Sequence, residues 1–371
     1  MNPSTSPGTR EPRVVIAGGG TGGHLYPGIA IARELVARRP GATVTFAGTS
    51  RGLEARVVPR EGFQLDILRS AGLKGHSGMA ALRGVGLLPM SALDAWRILS
   101  RRTPDLVIGV GGYSSGPVVM LAAVRGIPTL LAEQNAVPGF TNRLLASVVR
   151  AAAVSFESTV SFFGRRGFVA GNPVRPEFFE RHQGDEGDEG ARGRARVLIF
   201  GGSQGAHAIN VAMVEAAPRL AAAGGVDVTH QTGERDVELV RAGYRAAGLA
   251  ARVEPFLYAM DREMKQADVI VCRAGATTIA ELTAAGRAAI LIPLPTATDD
   301  HQKKNAEVLA RAGAAEMIEQ KDLTGAVLAE RVLALANDAG GRQRIAEAAR
   351  RFAKPDAAKV IVDKALELAG C

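Results

Sequence analysis

The sequence has only two cysteines, and neither belongs to a disulfide or metal-binding pattern. Cys272 lies inside an apolar stretch and Cys371 is the last residue, so we expect no disulfide framework and no metal cluster, and a reducing cytoplasm fits. No apolar run reaches the roughly 18–20 residues that span a bilayer, which predicts a protein without a transmembrane helix. A signal-peptide pattern is also missing, and residues 1–12 are predicted to form a disordered polar tail.

Aromatic residues are scarce in the whole chain, and acidic residues are scarce in its first half. Aromatic residues make up 5% of the chain and do not alternate with basic ones, so a base-stacking surface and a nucleic-acid partner are not expected. Residues 1–182 contain 21 Lys and Arg against 11 Asp and Glu, whereas the remainder contains 24 against 26. A basic first half predicts contact with an anionic partner, such as an acidic membrane surface.

Two stretches combine an apolar strand, a glycine turn and the start of a helix. They are residues 14–24 (VVIAGGGTGGH) and residues 197–206 (VLIFGGSQGA). In such a unit the glycines let a phosphate approach the backbone, while the first helical N–H groups and the helix dipole face it. Because the length also favours two domains, we predict an α/β protein with two Rossmann-like, doubly wound parallel-sheet domains that face a cleft.

The first glycine turn satisfies G-x-G-x-x-G, which alone is a weak dinucleotide signal. The next strand ends in Gly48 and Thr49 instead of the acid that would hold an NAD ribose, so a dehydrogenase is the weakest interpretation. His24 follows the last glycine, where it either caps and packs the helix or acts as a functional histidine beside the cleft.

Polar residues follow several predicted strands and are candidates for ligand contacts. The strand within residues 127–139 ends in Glu133, Gln134 and Asn135, which we expect to point into the ligand crevice. Glu281 lies one turn into a helix predicted to start near Thr277; it either accepts hydrogen bonds from ribose hydroxyls or is an ordinary first-turn acid. The loop 296–305 contains Asp299, Asp300, His301 and Gln302, of which His301 and Gln302 suit sugar hydroxyls better than a metal.

Residues 73–102 mix apolar and basic side chains, as in a surface that lies on an anionic leaflet. The alternative is an ordinary core helix with solvated arginines. We expect Gly84, Gly86 and Pro89 to break this helix and leave Leu87 and Leu88 on a loop. The residues predicted to contact anionic lipid are Leu82, Leu87, Leu88 and Trp96, with Lys74, Arg83 and Arg97.

Composition suggests the domain boundaries. Residues 13–175 form the predicted N-terminal domain and residues 197–353 the C-terminal one, separated in part by a charged, low-complexity insertion at 183–196 without a fold of its own. A final amphipathic helix at 355–369 is expected to pack back on the N-terminal domain.

Seven motifs occur in the order found in one family: GGGTGGHLYPG, GGYSSGP, EQN, GNPVR, GGSQGA, CRAGATTIAE and DHQKKNA. From about residue 13 to 368 the chain resembles the undecaprenyldiphospho-muramoylpentapeptide β-N-acetylglucosaminyltransferases (MurG family), GT-B glycosyltransferases of bacterial cell wall synthesis. The resemblance implies UDP-N-acetylglucosamine as donor and membrane-anchored lipid I as acceptor, with lipid II and UDP as products. It also implies a peripheral position on the cytoplasmic side of the inner membrane. Fixed donors at Ser203, the 201–206 turn and Arg175 would stabilise the leaving diphosphate, and no Asp-x-Asp motif ends a strand, so we expect no catalytic metal and no cofactor.

The resemblance also implies roles for individual residues. His24 is similar to the family's candidate base, and Thr21, Gly22 and Gly23 would lie beside the donor sugar and the acceptor diphosphate. Asn135 would contact the donor sugar, and His301 and Gln302 would bind its hydroxyls. The nucleotide would be held by Arg175, Ser203 and Gln204 at the diphosphate, by the Leu257 backbone at the uracil, and by the loop Arg273, Ala274, Gly275, Ala276, Thr277, Thr278 with Glu281 on the ribose.

Three features depart from the family pattern: Ala132 stands where a histidine often precedes EQN, His301 replaces one of two paired glutamines, and the insertion at 183–196 belongs to this chain. Another UDP-sugar enzyme on the same fold, such as a UDP-N-acetylglucosamine 2-epimerase or a lipid glycosyltransferase, is the nearest alternative. A nucleotide-binding scaffold protein without catalysis would keep Glu281 and the glycine turns but would not need His24.

Overall fold

The structure is a computed structural model that describes residues 10–69, 78–180, 193–202, 204–297 and 300–371, with only the backbone considered in 78–88. The chain divides into two compact units. Unit 1 comprises Met1–Val174 and Asp356–Cys371, and unit 2 comprises Arg175–Pro355. Each unit is built on one parallel sheet.

Unit 1 contains a seven-stranded sheet with the strand order β3-β2-β1-β4-β5-β6-β7. The order reverses between β1 and β4, which run parallel, and this reversal creates the crevice where doubly wound sheets bind ligands. Its strands are rich in buried Val, Ile, Leu and Ala, as expected for strands covered on both faces. The strands are β1 (Arg13–Gly18), β2 (Thr43–Gly48), β3 (Gln64–Ile67), β4 (Leu106–Gly111), β5 (Thr129–Glu133), β6 (Ala151–Val154) and β7 (Gly167–Val169).

Helices connect these strands and cover both faces of the sheet. On one face, Ile16 and Ile108 pack with Leu25 and Ile29. On the other face, Val107 belongs to a core with Leu99 and Val118. The helices are α1 (Gly22–Arg38), α2 (Glu54–Arg60), α3 (Gly78–Arg102), α4 (Ser115–Val124), α5 (Phe140–Leu145) and α6 (Glu157–Phe163).

Unit 2 repeats this plan with six parallel strands in the order β10-β9-β8-β11-β12-β13. Its order reverses between β8 and β11, so the loops after these two strands meet at the equivalent crevice. The strands are β8 (Ala195–Phe200), β9 (Val226–Gln231), β10 (Ala251–Glu254), β11 (Val269–Cys272), β12 (Ala288–Leu291) and β13 (Glu316–Met317). The helices are α7 (His207–Ala223), α8 (Val237–Ala246), α9 (Met260–Gln266), α10 (Ala276–Ala285), α11 (His301–Arg311), α12 (Gly325–Asn337) and α13 (Ala339–Arg350).

The last helix, α14 (Ala357–Ala369), belongs to unit 1 although it follows unit 2 in the chain. Its residues Ile361, Val362 and Ala365 are buried in the core formed by β1, β4 and α1. Asp363 on α14 pairs with Arg38 at the end of α1. The apolar stripe of this helix is therefore covered within unit 1.

Three expectations about chain organisation were wrong in part. Helix α3 runs without interruption from Gly78 to Arg102, so Pro89 lies inside it and Leu87 and Leu88 lie on a helix, not on a loop. A proline inside a helix costs about 3 kcal/mol, but the buried residues Ala95, Ile98 and Leu99 anchor the following turns to the sheet.

The other two corrections concern segment ends. Residues 10–12 are not a tail, because Arg10 pairs with Asp105 at 2.6 Å and the N–H of Thr43 donates to the carbonyl of Pro12. Ala195 and Arg196 do not belong to a structureless insertion, because β8 begins at Ala195 and pairs with β9 from that residue. The ends of strands and helices are the part of a fold that sequence patterns locate least accurately, which explains both errors.

Candidate active site

His24 lies in the first turn of α1, directly after the glycine loop that follows β1. Its Nδ1 is 3.3 Å from the hydroxyl oxygen of Thr21, the exposed residue at the N-cap of the same helix. The helix begins there because the peptide N–H groups of His24 and Leu25 donate to the carbonyl of Thr21. Gly22 and Gly23 occupy the two positions between them.

The loop after β4 forms the other wall of the His24 site. A methyl group on Gly111 would lie 2.7 Å from Cδ2 of His24, and one on Gly112 would lie 2.6 Å from the carbonyl oxygen of Gly19. Both residues also have positive φ angles of 97° and 82°. The imidazole is therefore held between the two loops that meet at the crevice of unit 1.

The EQN motif differs from the expectation that its side chains point into the crevice. Glu133 and Gln134 are each 2% exposed and Asn135 is 9% exposed. The carboxylate of Glu133 accepts hydrogen bonds from the N–H and side-chain amide of Asn135 and from the amide of Asn142 at 2.8–3.1 Å. Burial raises the pKa of Glu133, against the effect of these donors. The buried Glu133 carboxylate thus fixes the position of Asn135.

In unit 2 the second glycine loop leads from β8 into α7. Ser203 lies outside the described residues, while Gln204 is exposed beside it. Gly205 has to be glycine, because its φ is 75° and a methyl group would lie 1.8 Å from the carbonyl oxygen of Thr232. The side-chain amide of Gln231, at the end of β9, donates to the carbonyl of Gly202 at 2.9 Å. The end of β9 therefore fixes the shape of this loop.

The loop after β11 brings the start of α10 to the same crevice. Arg273 precedes it but does not point outward: its guanidinium is buried and donates to the carbonyls of Ile292 and Pro293 and to the side chain of Gln320. Burial lowers the pKa of Arg273. Ala274 is also fully buried. The residues at the helix start that are partly accessible are Gly275, the N-cap, and Ala276, Thr277 and Thr278.

Glu281 is the sixth residue of α10, so the alternative of an ordinary first-turn acid was wrong. Its side chain is 19% exposed, and Oε1 lies 4.0 Å from Nη2 of Arg175. Burial raises the pKa of Glu281 to about 7, an effect that the charge of Arg175 opposes and that of Asp261 increases. Arg175 itself rests on the ring of Phe178, 5.1 Å from its centroid.

His301 and Gln302 do not lie in a loop, as expected, but form the first turn of α11. The Gln302 side-chain oxygen accepts the N–H of Leu294 at 3.0 Å, which leaves the orientation of its amide nitrogen fixed by that bond. Further along α11 the buried Asn305 donates to the carbonyl of Ala274 at 3.3 Å. This bond ties α11 to the loop after β11.

Strand β10 ends at Glu254, three residues before Leu257. Leu257 lies in the following loop and is 8% exposed. Its neighbours Phe256 and Tyr258 contact each other edge to face at 5.0 Å, and Tyr258 is 90% exposed. Two aromatic residues therefore flank Leu257 in the sequence, and their rings contact each other.

Helix α3 carries an exposed apolar patch, which we call the α3 patch: Met90, Leu93 and Trp96. Trp96 is 51% exposed, and the guanidinium of Arg125 lies over its ring at 4.8 Å. Arg97, in the next position, has a side chain that is 65% exposed. Lys74 and the side chains of Leu82, Arg83, Leu87 and Leu88 lie outside the described part of the chain.

Two kinds of feature are absent from the described residues. No helix there is both long and apolar enough to cross a membrane. Within the same residues, no three His, Cys, Asp or Glu side chains come together as ligands of a metal ion would.

The sequence did not predict the buried polar side chains that fix the backbone of the glycine loops and of the loop after β11. Asn305, Gln231 and Glu54 are all buried and all bond to the backbone of a loop at the crevice. Their sequence signal is weak, because a polar residue within an apolar stretch shows neither its partner nor its depth. At Glu54 the two preceding glycines, Gly48 and Gly52, give the one sequence hint of close packing around a side chain.

Family comparison supports this architecture over nearly the whole chain. Residues 14–154 match the model of the glycosyltransferase family 28 N-terminal domain, and residues 196–361 match that of the family 28 C-terminal domain. A protein of Anaeromyxobacter sp. (strain K) is 49% identical over 358 residues, which cover 96% of this chain and 93% of that protein. Its name is UDP-N-acetylglucosamine--N-acetylmuramyl-(pentapeptide) pyrophosphoryl-undecaprenol N-acetylglucosamine transferase.

Solved structures agree with the match. The crystal structure of MurG from Acinetobacter baumannii superposes with a TM-score of 0.78 at 32% identity, covering 95% of this chain and 99% of that one. A UDP-GlcNAc 2-epimerase from Neisseria meningitidis gives a TM-score of 0.66 at 13% identity, covering 95% and 99%, and so shares the fold alone.

Two Rossmann-like parallel sheets, each with a glycine loop at the reversal of its strand order, make a fold of the GT-B type, and the matches over both units identify a glycosyltransferase. The chain belongs to glycosyltransferase family 28.

Proposed function

We propose that this enzyme transfers N-acetylglucosamine from UDP-N-acetylglucosamine to the 4-hydroxyl of the muramoyl sugar of lipid I, undecaprenyl-diphospho-N-acetylmuramoyl-pentapeptide. The products are lipid II and UDP, and the step belongs to peptidoglycan synthesis. The observation that carries this proposal is the 49% identity, across both units, with a transferase named for this donor and acceptor. The epimerase alternative is not favoured, because its likeness rests on the fold at 13% identity.

UDP binds to unit 2 in this proposal. The second glycine loop with Ser203 and Gln204, the start of α7 and Arg175 stabilise the diphosphate through N–H groups and a guanidinium. The carboxylate of Glu281 accepts the ribose hydroxyls, and the backbone at Leu257 receives the uracil. Asn135, His301 and Gln302 bind hydroxyls of the sugar, a role that the fixed amide of Gln302 supports.

The transfer is a single displacement with inversion at the anomeric carbon. The 4-hydroxyl oxygen forms a bond to that carbon while the bond to the UDP oxygen breaks, and the electron pair of the broken bond leaves with UDP. His24 accepts the hydroxyl proton, which contributes about 10²–10⁴-fold. The contact between Nδ1 and Thr21 supports this role: an Nδ1–H that donates to the Thr21 hydroxyl leaves Nε2 as the base.

Fixed donors in unit 2 supply the stabilisation of the leaving group. Charge that develops on UDP meets the N–H groups of residues 201–206 and the guanidinium of Arg175, so we propose a reaction that needs neither a metal ion nor a cofactor. The start of α1, with Thr21, Gly22 and Gly23, faces the acceptor diphosphate in the same way.

We place the enzyme at the cytoplasmic face of the inner membrane as a peripheral protein, docked through α3. The exposed ring of Trp96, its neighbours in the α3 patch and the exposed Arg97 match the combination that anionic bilayers bind. The basic balance of residues 1–182 acts in the same direction.

The test is a transfer assay with UDP-[¹⁴C]N-acetylglucosamine, with and without a lipid-diphosphate muramoyl acceptor, each with and without EDTA. We expect label in the lipid fraction only when the acceptor is present, and unchanged by EDTA. Conversion of the donor sugar without acceptor would indicate an epimerase and contradict the proposal, and binding of UDP without turnover would indicate a scaffold protein.

A further inference from the structure

Glu54, the first residue of α2, is a carboxylate with no exposed surface. Its Oε2 accepts the peptide N–H of Gly20 in the first glycine loop at 2.8 Å. Its Oε1 accepts both the N–H and the hydroxyl of Thr49, each at 2.8 Å. The side chain thus joins the loop after β1 to the loop after β2.

Glycines create the space that this carboxylate occupies. A methyl group on Gly19, Gly48 or Gly52 would lie 2.5, 2.7 or 2.1 Å from atoms of the Glu54 side chain. The N–H of Gly52 also donates to the Thr49 hydroxyl oxygen at 3.2 Å, which orients that hydroxyl toward Glu54. Three positions without a side chain are therefore needed around one buried acid.

The carboxylate is ionised. Burial acts to raise the pKa of Glu54, but hydrogen bonds from Gly20 and Thr49 outweigh it and leave the pKa below its ordinary value. A negative group bonded to the backbone of a strand–glycine–helix turn occupies the kind of position that a phosphate takes in nucleotide-binding domains. The loop of unit 2 differs, because there a side-chain amide of Gln231 donates to the carbonyl of Gly202.

We propose that Glu54 is a positioning residue: its carboxylate is a built-in anion that holds the N–H of Gly20 in the first glycine loop and fixes the start of α1, while Thr21, Gly22 and Gly23 remain the residues that face the acceptor diphosphate. The peptide that Glu54 holds at Gly20 leads directly into Thr21, whose carbonyl accepts the N–H groups of His24 and Leu25. A shift of this peptide moves the base relative to the acceptor hydroxyl. The inference rests on the proposed function of His24 and adds the residue that sets its position.

The test compares Glu54→Ala, Glu54→Gln and Glu61→Ala in the full chain. Glu61 follows the same helix and pairs with Arg33 in the later turns of α1, so its removal controls for loss of an acid that contacts α1 away from its start. We expect kcat to fall about 10- to 100-fold in Glu54→Ala, since misplacement of a catalytic group by about 1 Å has that effect. Glu54→Gln keeps an acceptor for Thr49 but turns an amide N–H toward Gly20, so we expect an intermediate loss. The affinity for UDP, measured by calorimetry, stays unchanged in all three variants.

Sodium formate supplies the missing carboxylate and gives the sharpest readout. We expect formate to restore part of the activity of Glu54→Ala and to raise its Tm, while it leaves His24→Ala inactive and the Tm of the wild type unchanged. Full activity of Glu54→Ala would overturn the proposal. So would a variant that formate neither stabilises nor reactivates. Because the Tm readout needs no turnover, absence of transfer in the wild type would refute the proposed function alone.

Discussion

Nη2 of Arg175 lies 4.0 Å from Oε1 of Glu281, at the edge of ion-pair distance, and the carboxylate is mostly buried. Burial is the strongest influence on this group and raises its pKa to about 7, although the charge of Arg175 opposes the shift. A carboxyl group that is half-ionised near neutral pH responds strongly to whatever hydrogen-bonds to it. The proposed roles of this pair at the nucleotide therefore predict that UDP binding depends on pH.

Lowering the pH below 7 should weaken UDP binding. In the proposed binding mode the ionised form of Glu281 accepts two ribose hydroxyls and the protonated form must lose its proton first, so Kd should rise by up to about tenfold per pH unit below 7. Calorimetry between pH 8 and pH 5.5 measures this. Glu281→Gln should bind UDP more weakly at pH 8 but without the additional pH dependence. Parallel pH profiles for the two proteins would contradict the ribose role.

Replacement of Gly111 by alanine should inactivate the enzyme without affecting UDP. The new methyl group would lie 2.7 Å from Cδ2 and 3.0 Å from Nε2 of His24, and the φ of 97° adds strain. Displacement of the base should lower kcat by about 100-fold. Gly340→Ala is the control, because its methyl group would lie 3.4 Å from the end of the Arg344 side chain and 3.6 Å from a carboxylate oxygen of Asp338, both ordinary contacts with side chains. Normal turnover by Gly111→Ala would remove His24 from the mechanism.

A double substitution in the α3 patch should release the protein from membranes. Leu93→Glu with Trp96→Glu replaces two exposed apolar side chains by charges that an anionic leaflet repels. Co-sedimentation with vesicles containing phosphatidylglycerol should be lost, while UDP affinity is retained. Leu239→Glu, which changes a leucine 47% exposed in unit 2, should still sediment. Wild-type sedimentation that is insensitive to salt would argue against the basic contribution.

The free energy of unfolding should fall as the pH drops from about 6.5 toward 3, because of His230. This histidine is fully buried between the hydroxyl of Tyr244 at 2.7 Å and the side-chain oxygen of Asn210 at 3.0 Å. Burial lowers its pKa to about 3, so between these pH values the unfolded chain binds a proton that the folded chain does not. The loss should reach about 3–5 kcal/mol.

Urea unfolding at several pH values checks this effect. His230→Gln should be less stable at neutral pH and should lose this part of the pH dependence. The exposed His207 provides the control, and His207→Gln should follow the wild type. Equal pH dependence in His230→Gln and wild type would show that other groups cause the acid instability.

The sequence predicted the elements around the glycine turns well, since strand, glycine and helix signals there agree. It failed at Pro89, because local propensity cannot show that Ala95, Ile98 and Leu99 fix the helix to a sheet formed elsewhere in the chain. His301 and Gln302 were assigned to a loop because their neighbours are polar, and the helix start is visible only in the structure.

The candidate site was predicted through its motifs, but the direction of the side chains was not. Arg273 belongs to a nucleotide-loop motif and yet donates to the backbone of Ile292 and Pro293. Glu133 lies at a strand end, yet it is buried and accepts a hydrogen bond from the side-chain amide of Asn135. Which way a polar residue turns depends on the donors and acceptors around it in the fold, and the spacing of a motif carries no information on them.

A crystal structure with UDP bound tests the central claim most directly, namely that unit 2 holds the nucleotide between its glycine loop and α10. We predict that the diphosphate lies against residues 201–206, the ribose hydroxyls lie within hydrogen-bond distance of Glu281, and the uracil lies at the backbone of Leu257. UDP seated instead on the loop after β1 in unit 1, where Glu54 already supplies the anion, would contradict it.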